Sequence, residues 1–200
     1  MNKKVLYIGG SPCCGKSTVA ERLAKELGAT YYQVDHYLDE FMEQVADRGA
    51  PVCSKAVKMK GDEIWLRDPE IQCEEEFKIY SEVAGRVFDR LHKIRSEFVI
   101  AEGAAFTPAV MAKSGFADYI CMIPTPEFQI ARYRERSWVP YVVMDCSDKE
   151  RAFDNWMRRD ILFAQRIRQE CDEKGIPCLI TDGSRSEDDT FAAVKELFGL

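Results

Sequence analysis

The sequence predicts a three-layer α/β protein in which helices cover both faces of a five-stranded parallel sheet. Three observations predict it. Five short segments are apolar or β-branched and bounded by turn residues: Lys4 to Gly9, Thr30 to Val34, Phe98 to Ala101, Tyr119 to Ile123 and Pro177 to Thr181. Their near-continuous apolarity implies burial on both faces. Segments with helical spacing lie between them, and strands alternating with helices give a parallel sheet. Finally, 200 residues with 46% apolar side chains suffice for one substantial core.

The elements follow in order. The first strand runs into a glycine-containing loop, and Val19, Leu23 and Leu27 mark the helix after it. Beyond the second strand, residues 40–68 are the least regular part, punctuated by Gly49, Pro51, Gly61 and Pro69. Phe77, Tyr80, Ala84, Val87, Leu91 and Ile94 then define a long helix before the third strand. Residues 36–95 therefore read as an insertion, and insertions in α/β folds commonly carry substrate contacts. After the fourth strand comes an Arg-rich region, 130–168. The helical pattern from Asp148 to Lys174 stops at Gly175, with Pro177 two residues on. The fifth strand leads to a last helix marked by Phe191, Val194, Leu197 and Phe198. No repeat or low-complexity linker divides the chain, so residues 1–200 are expected to be one domain, as a monomer or homodimer.

Composition excludes several classes. With 28 Lys plus Arg against 34 Asp plus Glu, the net charge of -6 would repel a phosphate backbone, so nucleic acid is not an expected partner. No apolar run approaches a membrane span, and the opening residues break into glycine too early for a signal peptide; the expectation is no membrane partner and a cytoplasmic location. The eight cysteines, at 13, 14, 53, 73, 121, 146, 171 and 178, form neither a CxxC nor a Cys/His cluster. Most are expected to be small reduced core residues.

The chemistry is carried by Gly10-Ser11-Pro12-Cys13-Cys14-Gly15-Lys16-Ser17-Thr18, which fits GxxxxGK[ST] between a strand and a helix. Glycines are needed because backbone N–H groups must curl around phosphate oxygens, and the helix N-terminus adds its partial positive charge. Lys16 is expected at the β- and γ-phosphates, Ser17 at Mg2+ and Thr18 at the α-phosphate. Cys13 and Cys14 sit where the loop meets the anion. They are either small residues tolerated there or thiols with a lowered pKa and some sensitivity to oxidation.

With this motif, the sequence resembles the P-loop small-molecule and nucleotide kinases, the group that includes adenylate kinase, shikimate kinase and chloramphenicol phosphotransferase. The resemblance follows the element order of nearly the whole chain and is specific at the P-loop. It implies the three-layer P-loop NTPase fold, with ATP and Mg2+ as cofactors. It places a carboxylate near the acceptor hydroxyl at the end of the second strand, which here is Asp35 of Gln33-Val34-Asp35-His36; the other reading makes Asp35 the N-cap of a helix starting at His36. Glu102, ending the third strand, matches the acid of the magnesium shell, its part left open between water ligand, acceptor partner and auxiliary base. Arg132 and Arg136 fall where the group has RxxxR, one near adenine and one on phosphate. Arg158 and Arg159, before Asp160, resemble the lid-closing helix, which makes 130–168 a lid. Arg suits phosphate because its planar fork binds bidentately and stays charged, although Arg–acid pairs on a solvated helix give the same pattern. Asp182, Gly183 and Arg185 occupy the adenine loop, a place a simple turn also fills.

Charge is partitioned along the chain. Residues 31–82 hold thirteen acids and six bases, and residues 128–168 hold nine bases and six acids. An Arg-rich lid over ATP facing an acidic acceptor region suits a neutral or cationic acceptor, while Lys55, Lys58, Lys60 and Arg67 leave a phosphorylated one open. Trp65 either stacks on an acceptor ring or covers the core. The reading is an ATP-dependent small-molecule kinase that phosphorylates a metabolite hydroxyl. Its rivals are a nucleoside or nucleotide kinase and a regulatory protein that binds ATP and turns it over slowly or not at all.

Overall fold

A computed structural model of the chain describes residues 3–115 and 118–200. Strands β1 (Lys4–Gly10), β2 (Thr30–Gln33), β3 (Phe98–Glu102), β4 (Tyr119–Pro124) and β5 (Cys178–Thr181) form one parallel sheet in the order β2-β3-β1-β4-β5. Parallel neighbours need crossovers, which the helices supply. Helices α1 (Lys16–Leu27), α2 (Leu38–Ala46), α3 (Pro51–Ala56), α4 (Asp62–Trp65) and α5 (Pro69–Lys93) precede β3. Helix α6 (Pro108–Ser114) precedes β4; α7 (Pro126–Arg134), α8 (Val139–Val142) and α9 (Lys149–Lys174) precede β5, and α10 (Glu187–Leu197) closes the chain.

Alternation along β1 separates two cores. Leu6 and Ile8 turn to one face and pack with Leu23 of α1, Ile100, Met122 and Val194 of α10. Tyr7 turns to the other face, with Val99, Ala101, Phe106 and Cys121, beneath Val83 and Val87 of α5 and Ile167 of α9. Helix α5 turns Val83 into this core and leaves Ala84 half-buried, a shift of one position from the pattern expected of it. Strand β1 lies between β3 and β4, so the crossovers from β1 and from β3 leave the centre of the sheet in opposite directions, and a crevice opens at the carboxyl ends of the strands.

The irregular stretch 40–68 is three short helices, α2, α3 and α4. Helix α2 carries a helical period in Leu38, Phe41, Met42 and Val45, with Phe41 and Val45 buried, whereas α3 and α4 are too short to show one; α2 and α3 pack against α5. Their ends are fixed from outside: Glu82 on α5 accepts hydrogen bonds from the Val52 and Cys53 amides at the start of α3, at 3.0 and 2.8 Å. Region 130–168 does not stand apart from this insertion. The Asp62 carboxylate accepts from the Ser147 amide (2.8 Å) and hydroxyl (2.6 Å), the Asn155 amide donates to Trp65 O at 2.9 Å, and the Trp65 and Trp156 rings lie 5.0 Å apart. Trp65 is thus largely a packing residue, half-buried against Trp156. Among the described residues no helix is long and apolar enough to cross a membrane.

Two glycines separate steric need from conformational habit. A Cβ on Gly10, where φ is +115°, would fall 1.8 Å from Met122 O, whereas one on Gly85, exposed within α5, meets nothing within 4 Å. Gly10→Ala is expected to lower unfolding free energy by more than about 3 kcal/mol. Gly85→Ala is expected to raise it by about 0.5–1 kcal/mol. Urea titration of the two variants measures both.

Candidate active site

The loop between β1 and α1 is built for backbone presentation. Ser11, fully buried, donates its amide to Met122 O at 3.0 Å, which anchors the loop to β4. Cys13 is left-handed at φ 66° and Gly15 at φ 86°, and these reversals curl the chain into a concave turn. Helix α1 starts at Gly15 with no side-chain cap, whereas Asp68, Asp148 and Ser186 cap α5, α9 and α10. The Lys16 amide is in hydrogen-bonding reach of Cys14 Sγ, and the amides that follow it at the helix start are open to another acceptor. Lys16 is buried and donates from Nζ to Ser11 O at 2.8 Å. Burial opposes its charge, but negative charge on Cys14 Sγ in the alkaline range where a lysine titrates, together with the carboxylates of Glu102 and Asp35, holds its pKa above the usual lysine value. Ser17 and Thr18 are exposed.

Glu102 ends β3 in complete burial. Its Oε1 accepts from Ser17 Oγ at 3.0 Å and from Tyr31 OH at 2.9 Å, while Oε2 has no partner. Gln33 Nε2 donates to Ser17 Oγ at 3.4 Å. Tyr31 and Gln33 were not among the expected site residues. The signal for them is period-2 alternation on β2, which pairs Gln33 with Glu102 in register and puts Tyr31 on the same face. Among the described residues no group of three or more His, Cys, Asp or Glu forms a metal site. Ser17 and the free Glu102 oxygen nevertheless make an oxygen pair suited to Mg2+, which takes one or two protein groups and completes its shell with water and phosphate.

Asp35 lies inside a 3-10 turn, Val34–Tyr37, so it does not cap a helix beginning at His36. It keeps solvent access, yet protein atoms crowd its carboxyl. Desolvation, helped by Glu102, pushes its pKa up against the opposing pull of Lys16 and the Ala104 amide. Gly103 makes this approach possible: a Cβ there would stand 2.8 Å from Val34 Cβ and 3.1 Å from Asp35 Oδ1.

A cleft of about 340 Å³ opens beside the loop. Cys13, Cys14, Gly15 and Thr18 form its floor, Arg132 and Arg136 one wall, and Asp182, Gly183 and Arg185 the other. Phe128 joins the walls; its ring underlies the Arg132 guanidinium at 4.9 Å and would lie 2.9 Å from a Cβ on Gly183. Arg132 also pairs with Glu135 at 2.8 Å, and the Asp182 carboxylate accepts from the Ser184 amide and hydroxyl within its own turn.

The two arginines expected on the lid helix part company. Arg158 is exposed and lines a separate groove with Ile130, Arg134 and Phe153. Consecutive helical residues diverge by about 100°, so both could not face one ligand. Arg159 turns inward, held by Asp160 Oδ1 at 2.7 Å and Glu76 Oε2 at 3.3 Å, and lies 5.2 Å from the Trp65 ring. Tyr133 and Tyr80 donate to the same two carboxylates, at 2.7 and 2.5 Å. Its charge is already balanced, so in this arrangement Arg159 is a structural ion and not a free phosphate ligand.

With the geometry established, comparisons show the fold. A shikimate kinase from Acinetobacter baumannii, solved in complex with shikimate, matches with a TM-score of 0.52 and 18% identity over 98% of this chain and 92% of that one. TT1252 from Thermus thermophilus matches with a TM-score of 0.53 and 16% identity over 100% of this chain and 98% of that one. No family model and no curated protein matches the sequence. The architecture is the P-loop fold of the shikimate kinase type.

Burial answers the question raised by the paired loop thiols. It pushes Cys13 up to about 11 despite the nearby Arg136, and it raises Cys14, whose Sγ donates to Ser11 O at 3.0 Å. Both are protonated at neutral pH. Alkylation of Cys13 by iodoacetamide at pH 8, followed by mass spectrometry, is expected to be roughly a hundredfold slower than that of a free thiol.

Proposed function

We propose that the chain is an ATP- and Mg2+-dependent phosphotransferase that moves the γ-phosphoryl group to a hydroxyl of a small metabolite. The carrying observation is the pairing of Ser17 with the buried Glu102, whose second oxygen has no partner, directly beside the uncapped helix end and Lys16. A fully buried carboxylate with a free oxygen is costly unless a cation or donor completes it. That cation is magnesium in this reading.

Bound magnesium supplies a Lewis acid that offsets charge on the phosphate oxygens. The amides of residues 13–18 and Lys16 bind and orient the triphosphate. Arg136 adds positive charge beside Cys13, and Arg132 with Phe128 bounds the base end of the cleft. Asp35 accepts the proton of the attacking hydroxyl, and its raised pKa brings its basicity closer to the range useful at neutral pH. Residues 36–95 form the acceptor side and 130–168 the lid. Arg158 has no part in this arrangement, and Arg159 acts through Glu76 and Asp160.

The acceptor side favours a neutral or cationic alcohol. Asp35 is exposed there, and Arg159 of α9 is already balanced by two carboxylates, Glu76 and Asp160. The Acinetobacter protein was solved with shikimate, an acid; a carboxylated acceptor here would have to compete with Asp160 and Glu76 for Arg159.

A panel of sugars, polyols, amino alcohols, nucleosides and shikimate, assayed by ADP release and product mass, tests the reading. Phosphorylation of a neutral or cationic alcohol is expected, with Lys16→Ala lowering kcat/KM roughly a thousandfold and Asp35→Asn about 10²–10⁴-fold. Tight ATP binding with no acceptor would instead favour a regulatory protein, and a nucleoside product would favour a nucleoside kinase.

The raised pKa of Asp35 also has a stability consequence. Above its folded pKa the ionised carboxyl burdens the folded state more than the unfolded one; as pH falls through that value the folded state takes up the proton first, and the burden disappears. Asp35→Asn is therefore expected to stabilise the protein most at neutral pH, with the gain fading as pH falls to about the ordinary Asp value near 4. Thermal melts from pH 4 to 8 measure the trend.

A further inference from the structure

An anion cradle made of backbone N–H groups imposes a second requirement, because each peptide also carries a carbonyl whose inward rotation would cancel the attraction. Three loop carbonyls are held by side chains. Ser11 O accepts from Lys16 Nζ at 2.8 Å and Cys14 Sγ at 3.0 Å, Pro12 O accepts from Gln129 Nε2 at 3.2 Å, and Cys14 O lies 3.2 Å from Thr181 Oγ1, which shares its single proton with Ile123 O at 3.1 Å. The first set belongs to the loop itself. Gln129 and Thr181 reach it from α7 and from the end of β5.

Gln129 is the more informative of the two. It has no exposed surface, and the same Nε2 also donates to Ser11 Oγ at 3.1 Å, while its Oε1 has no hydrogen-bond partner. For packing alone an apolar residue of the same size would be better there, since an orphaned buried oxygen costs stability. The amide is accounted for by the two loop atoms it grips. Its position ties the loop to the cleft wall as well: Arg132 lies one helical turn further along α7, and Arg136 follows just beyond that helix.

We infer that Gln129 is a positioning residue for the phosphate cradle, which fixes Ser11 and Pro12 so that the loop amides converge on a polyphosphate, with Thr181 as a second, weaker pin. The inference rests on the nucleotide reading proposed above. It requires that losing either pin weaken binding in proportion to the number of phosphates, because the base end of the cleft is built by other residues.

Isothermal titration calorimetry of AMP, ADP, ATP and inorganic tripolyphosphate against wild type, Gln129→Leu, Gln129→Glu and Thr181→Val tests this. In Gln129→Leu, ATP and tripolyphosphate are expected to bind at least tenfold more weakly and AMP within twofold of wild type, with a melting temperature unchanged or higher. Gln129→Glu, which cannot donate and adds a negative charge, is expected to lose more. Thr181→Val is expected to show the same phosphate-dependent pattern at about threefold, so the inference stays testable if a Gln129 variant fails to fold. Wild-type affinity for ATP in the folded variants, or an equal loss for AMP and ATP, would overturn it. If wild type itself bound neither ATP nor tripolyphosphate, the nucleotide reading would fall instead.

Discussion

Glu102 is a carboxylate without solvent contact at the centre of the sheet's carboxyl edge, and much of the molecule can be understood as what makes that position tolerable. Two hydroxyls, Ser17 and Tyr31, donate to one of its oxygens, and Lys16 lies within electrostatic reach. For these groups to converge, β3 must lie between β1 and β2 in the observed register, and α1 must begin immediately after the loop. The strand order and the glycine contacts at the end of β1 are thus coupled to the chemistry. A sheet with the same helices but β3 elsewhere would leave a buried carboxyl without donors, at a cost of several kcal/mol against a net stability of about 5–15 kcal/mol for a typical domain.

The loop holds a second tension. Cys13 occupies the left-handed region, which costs an ordinary residue roughly 1–2 kcal/mol relative to the right-handed alternatives. Such a conformation persists only where its surroundings over-determine it. Here they do: the Ser11 amide is fixed by Met122, the carbonyls on either side by Gln129 and Thr181, and the next residue by the start of α1. The free energy released by those contacts offsets the strain and leaves a loop already shaped for a ligand.

Most of the architecture was legible because the relevant signals are local. Each of the five strands appears within a residue of its expected ends, and α9 runs from its Asp148 cap to Gly175 as its start and stop chemistry implies. The loop was legible from spacing alone. Three parts were not. Helices α3 and α4 are too short to show a period and take their form from the helices they pack on, α5 and α9, whereas α2 carries one in Leu38, Phe41, Met42 and Val45 that ends within a stretch otherwise broken by glycine and proline. That Arg158 and Arg159 diverge follows from the helix alone, but which of them turns inward depends on how α9 is rolled against α5, and the charge motif does not encode it. The convergence of Tyr31 and Gln129 on the site comes from chain separations of 71 and 118 residues and is visible only once the sheet is assembled.

The stitching of residues 36–95 to 130–168 through Asp62 and Ser147, Trp65 and Trp156, and Glu76 and Arg159 bears on how such a protein can diversify. Surfaces that evolve separately usually meet across solvent-exposed, weakly bonded seams. Here a carboxylate–hydroxyl clasp, an indole pair and an ion cluster cross the seam. Residues 36–95 and 130–168 would therefore be inherited as one block, and transplanting the first alone into a related scaffold would leave Arg159, Asp160 and Trp156 facing the wrong neighbours.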